Sequence, residues 1–145
     1  MVDRRARDIS AEALRDLLNG TISNYEYEDR YELSKIDRAL GAIFTQVWFI
    51  YSDVREHKLT GKHAPCDRNR ALLEQSILFL RSNLEYEWPR NEWHLGYGIM
   101  RLLGLGRILE RRLSRKWSIG DEQVWPFLKR ADYENAIHEQ ESNRT

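Results

Sequence analysis

A single cysteine, Cys66, excludes any intramolecular disulfide framework in this 145-residue chain. A fold that needs no disulfide suits a reducing compartment. Long apolar runs are also missing: the longest, "VWFIY" at 47–51, is far too short to span a bilayer. The N-terminal "MVDRRARDIS" places charge where a signal peptide needs an apolar core, so export by that route is not expected. Net charge is lacking as well, because 23 Lys and Arg balance 23 Asp and Glu. No global field therefore draws the chain to nucleic acid or to a membrane surface. The absences together predict a soluble, cytoplasmic protein.

Locally the charges do not cancel. Residues 26–32 hold four carboxylates and one arginine, whereas residues 107–116 hold five cations and one carboxylate. Such polarity allows oppositely charged partners at different faces.

Apolar residues recur with helical spacing, and the length is that of one ordinary domain. A first helix is expected over Ala11–Asn19, capped by Ser10 and stopped by a left-handed Gly20. A second, central helix is expected over Lys35–Lys58, with Ser34 as its cap and Asp37 in the reciprocal capping position. Its apolar face includes Phe44 and Trp48, both predicted to be buried. Gly61 and Pro65 mark a loop, and a third helix follows from Asp67 to Ser82 on Leu72, Leu73, Ile77, Phe79 and Leu80. Pro89 forces an exit. A fourth helical stretch is expected over Trp93–Trp117 and a last one from Pro126, with 139–145 as a frayed tail. The predicted fold class is all-α: a single-domain bundle of four to five helices with short extended connectors.

One phrase occurs almost twice: "SNYEYE" at 23–28 and "SNLEYE" at 82–87. In both, aromatic or apolar residues alternate with glutamates, which suits an extended segment with rings inward and carboxylates outward. Laid side by side, Tyr25, Glu26, Tyr27, Glu28, Glu85, Tyr86, Glu87 and Trp88, with Trp93 nearby, would form one acidic, aromatic-backed surface. Rigid rings beside fixed charge are what a specific protein interface uses.

Catalytic motifs are scarce. Asp53 and His57 stand four apart near the predicted end of the second helix, and His63 lies just beyond. Two imidazoles and a carboxylate could hold zinc or iron with an open position. Against that, H-E-x-x-H is absent and an i,i+4 Asp–His pair is ordinary helix chemistry. Cys66 has only His63 as a nearby base, and "GYG" and "GLG" complete no nucleotide loop. On the predicted basic helix, Arg107, Arg111, Arg112, Arg115 and Lys116 could track phosphates, with Trp117 to stack a base. The same arginines opposite a leucine stripe also describe any solvated amphipathic helix.

The favoured expectation is a non-catalytic protein-binding module: an inhibitor, an immunity-type protein or an accessory subunit, with no cofactor. Its partner would be another protein with a basic surface, and self-association is compatible with the sequence. A metal-dependent enzyme using Asp53, His57 and His63 is the first alternative. A nucleic-acid accessory protein using residues 107–117 is the second.

Overall fold

The computed structural model describes residues 1–89 and 120–142. Among them are five α-helices and no strand, so the chain is all-α as its periodicity predicts. The helices are α1 (Arg4–Leu18), α2 (Asn24–Arg30), α3 (Arg38–Trp48), α4 (Asp67–Arg81) and α5 (Arg130–Ser142). Single 3-10 turns occupy Gly61–His63 and Glu122–Val124. None of these helices is long and apolar enough to cross a membrane. The helix expected over Trp93–Trp117 lies outside the described residues.

Helix α1 is the axis of the assembly, with α4 packed along it and α2 and α3 alongside. It begins seven residues before the predicted Ala11, because Asp3, not Ser10, is its cap and accepts the Ala6 N–H at 3.2 Å. Ser10 sits inside the helix, where its hydroxyl donates to the Glu32 carbonyl and accepts the Glu32 N–H. The extra turns were hidden because Arg7 reads as a solvent residue, yet it is fully buried. At the other end Gly20 does stop the helix, at φ +70°.

Helix α3 is shorter than predicted at both ends. Asp37 is its cap, accepting the Ala39 N–H, while Ser34 donates instead to Asp3. Its buried face is the narrow stripe Ala39, Leu40, Ile43 and Val47. Phe44 sits at the edge of that stripe, only partly buried. Trp48 is 39% exposed, so the expectation that it fills the core is corrected. Beyond it the chain leaves the helix for a loop that runs to Gly61.

Helix α4 matches its expected span closely. Leu73, Ser76, Ile77, Leu78, Phe79 and Leu80 are buried, and Ser82 ends the helix in an extended conformation. The last helix starts at Arg130, not Pro126, and it continues to Ser142, so residues 139–142 are helical and not a frayed tail. The Ser142 hydroxyl donates back to the His138 carbonyl in that final turn.

One buried ion pair crosses this arrangement. Arg7 Nε donates to Asp37 Oδ2 at 2.5 Å and its Nη2 donates to Oδ1 at 3.1 Å, with both side chains at most 2% exposed. Arg7 Nη1 also donates to the carbonyls of Ser82 and Leu84, and the guanidinium lies over the Phe79 ring, 5.1 Å from its centre. Burial pushes the Asp37 carboxyl up, but hydrogen bonds from Arg7 and from the Asp3 and Ala39 N–H groups outweigh it. They hold Asp37 below the ordinary carboxylate range.

Candidate functional site

The repeated phrase does opposite jobs in its two copies. In the first, Ser23 caps α2: its hydroxyl accepts the Glu26 N–H at 3.2 Å, and the Glu26 carboxylate accepts the Ser23 N–H at 2.7 Å. This reciprocal capping box turns the copy into a helix, correcting the expected extended connector. Tyr27 then faces inward, fully buried among Tyr31, Phe44 and Tyr51. Its hydroxyl is buried and has no hydrogen-bond partner among the described residues. Burial, then the neighbouring tyrosines and Glu28, raise its pKa well above the ordinary phenol value.

In the second copy Ser82 ends α4, and residues 83–87 lie in no helix or strand. Two arginines from α1 take the carbonyls that a helix would use. Arg4 Nη1 donates to the Ser82 carbonyl at 2.9 Å, and Arg7 Nη1 donates to that of Leu84, also at 2.9 Å. The segment leads into Trp88, only 4% exposed, whose indole N–H donates to the carbonyls of Pro126 and Phe127. Tyr86 is half-buried between Phe79 and Trp125. Gly120 passes so close that a Cβ there would stand 3.0 Å from the Trp88 ring and 2.6 Å from Leu128.

The two acidic phrases therefore sit at opposite ends of α1, not side by side. Glu85 pairs with the Met1 ammonium at 3.2 Å, at the start of that helix. Ser23 and Asn24 follow Gly20, at its end, and a 15-residue helix is about 22 Å long. Glu26 is engaged in its capping box, and Glu28 accepts the Tyr51 hydroxyl at 2.9 Å. Trp88 and Tyr86 spend their rings on packing; Trp93 lies outside the described residues, as do Arg107, Arg111, Arg112, Arg115, Lys116 and Trp117.

Among the described residues an exposed aromatic surface lies around the first copy. Trp48 and Phe49 meet edge to face at the end of α3, with ring centres 5.4 Å apart, and Phe49 is 69% exposed. Val54 protrudes from the same stretch at 79% exposure, and the Tyr25 hydroxyl donates to the Asp53 carbonyl at 3.0 Å. Residues 24–30 and 48–57 together carry five carboxylates (Glu26, Glu28, Asp29, Asp53, Glu56) against two arginines. Arg30 of these two is already paired with Asp16 at 2.8 Å.

The organiser of this surface is Asn24. It is fully buried. Its amide donates to the carbonyls of Ser52 and Arg55, and its side-chain oxygen accepts the His57 N–H at 2.8 Å. Its own backbone N–H donates to the His57 carbonyl at 3.0 Å. Four polar groups of the 52–57 loop thus find partners on one residue, and satisfied polar groups let the chain leave α3 without penalty.

The proposed Asp53–His57–His63 set is only partly assembled. His57 and His63 come together with ring centres 4.4 Å apart, but no group of three metal-ligating side chains occurs among the described residues. Asp53 and His57 do not share a helical face, because residues 49–60 are loop. Although His63 is exposed, loss of hydration beside its neighbours, then the charges of His57 and Lys62, lower its pKa below the ordinary imidazole value. Cys66 is exposed at the cap of α4 and makes no side-chain capping bond. Comparison with protein-family models, with curated proteins and with solved structures found no match.

Proposed function

We propose that this chain is a non-catalytic protein-binding module that docks a basic partner on the surface formed by Tyr25, Trp48, Phe49 and Val54. The exposed Trp48–Phe49 pair carries the proposal. Two adjacent aromatic rings left in water forgo burial that a partner could supply, and aromatic anchors dominate interface energetics. The surrounding excess of carboxylates favours a partner with Arg or Lys at its rim and would steer the encounter. Asn24 holds the loop in place beforehand, which lowers the ordering cost of binding. Inhibitor, immunity-type and accessory-subunit roles all fit this reading. A lone exposed thiol at Cys66 suits the reducing cytoplasm, where we place the protein.

The test is capture from the source cell, identification of the bound protein, and measurement of binary binding with purified components. Phe49→Ser should weaken binding by roughly 30-fold, as loss of a hot spot worth about 2 kcal/mol does, while the melting temperature stays near that of the parent. Asp29→Asn with Asp53→Asn should slow association, more so at low salt. Glu85→Gln with Glu87→Gln, at the far end of α1, should change neither rate. A partner that binds Phe49→Ser as tightly as the parent would remove this surface from consideration.

A further inference from the structure

Two imidazoles come together in the segment between α3 and α4. His57 and His63 stand with ring centres 4.4 Å apart and planes 38° apart. A metal–nitrogen bond of about 2.0–2.1 Å puts each ring centre roughly 3.2 Å from the ion, so two rings at a right angle about it stand about 4.5 Å apart. The observed 4.4 Å lies at the distance that two imidazoles on one ion require.

His57 is also set up as a ligand. Its Nδ1 lies 2.8 Å from the Arg55 carbonyl, which fixes the tautomer that donates from Nδ1 and leaves the Nε2 lone pair available. A backbone carbonyl on the second ring nitrogen is the usual outer partner of a metal-bound histidine. The Tyr51 ring meets His57 edge-on at 6.4 Å and limits its rotation. The loop is held from both sides: His57 by its backbone bonds to Asn24, and His63 by the 3-10 turn whose N–H donates to the Thr60 carbonyl at 3.0 Å. Neither ring is needed for those backbone bonds, so the site can be altered without unfastening the loop.

We propose that His57 and His63 form a two-imidazole site for a divalent transition-metal ion of the nickel–copper–zinc group, with water completing the coordination. Two imidazoles with water in the remaining positions suit Cu2+ and Ni2+ better than structural zinc, which takes a closed tetrahedron of four protein ligands. The affinity order should be Cu2+ above Ni2+ and Zn2+, and Mg2+, which requires oxygen ligands, should not bind. With only two protein ligands the ion exchanges readily, which distinguishes this site from the three-ligand catalytic centre considered from the sequence.

The experiment is calorimetric titration of the untagged full chain with Cu2+, Ni2+, Zn2+ and Mg2+ chlorides in a non-chelating buffer. It is paired with melting curves of the same samples. The expected result is one equivalent of Cu2+ or Ni2+ per chain, a melting temperature raised by the ion, and a loss of affinity of tenfold or more in both His57→Ala and His63→Ala. His138→Ala, on the exposed face of α5, should titrate like the parent. Metal-free melting temperatures within a few degrees of the parent confirm that the loop is intact in each variant. Equal binding by parent and His63→Ala, or no binding by a parent of normal melting temperature, overturns the proposal.

Discussion

Replacing Arg7 with methionine is expected to destabilise the protein by about 3–5 kcal/mol, the usual cost of leaving one member of a buried ion pair alone. Methionine keeps much of the arginine's apolar volume, so the loss isolates the guanidinium. It removes four hydrogen bonds at once, to both Asp37 oxygens and to the Ser82 and Leu84 carbonyls, together with the contact to the Phe79 ring. Asp37 cannot simply be neutralised in compensation, because it also caps α3 and accepts the Asp3 N–H at 3.0 Å. Chemical denaturation across pH separates the parts. Asp37 is depressed in the folded state, so its stabilisation is full above its unfolded value near 3.8 and is lost as the pH falls through the folded value. The gap between parent and Arg7→Met should therefore narrow below about pH 4. A gap that stayed constant to pH 2.5 would assign the loss to packing and not to charge.

Trp88→Ala should cost a similar amount, about 3–5 kcal/mol. The indole is the plug on which the 120–128 segment closes, through its N–H to the Pro126 and Phe127 carbonyls and through the narrow gap at Gly120. Trp48→Ser, by contrast, removes a ring that is 39% exposed. Its cost should be the smaller by about 2 kcal/mol or more. Urea titrations of the two variants compare the tryptophans directly, and equal losses would refute their assignment to plug and surface.

The sequence displays α4 nearly whole because its signals are local: apolar residues at helical spacing between Pro65 and Ser82. Gly20 announces its turn for the same reason, since only glycine takes a positive φ without strain. The first half of α1 was illegible because burial of Arg7 depends on Asp37, 30 residues away. The end of α3 was illegible because Asn24 takes over the polar groups of the following loop from a different element. The doubled phrase is the sharpest case. Both copies contain Ser-x-x-Glu, the signature of a capping box, and only the first uses it. In the second, Arg4 and Arg7 hold the carbonyls of an extended chain. Trp48 stands on the apolar face expected to be buried, and its exposure was not legible because α3 ends at that residue.

The position of Arg7 also bears on the order of events in folding. Its partners lie at residues 37, 82 and 84, so the guanidinium reaches its native contacts only after separations of 30, 75 and 77 residues have been closed. Closing such loops costs chain entropy before any contact is made. Helices α1 and α4 can pair through Leu14, Leu17, Leu73 and Leu80 while the arginine is still hydrated. Its dehydration then belongs to the descent after the barrier. Stopped-flow measurements on Arg7→Met should accordingly show a steeply raised unfolding rate and a refolding rate close to the parent's. The buried charge would act less as a builder of the fold than as its latch, governing how long each molecule stays folded.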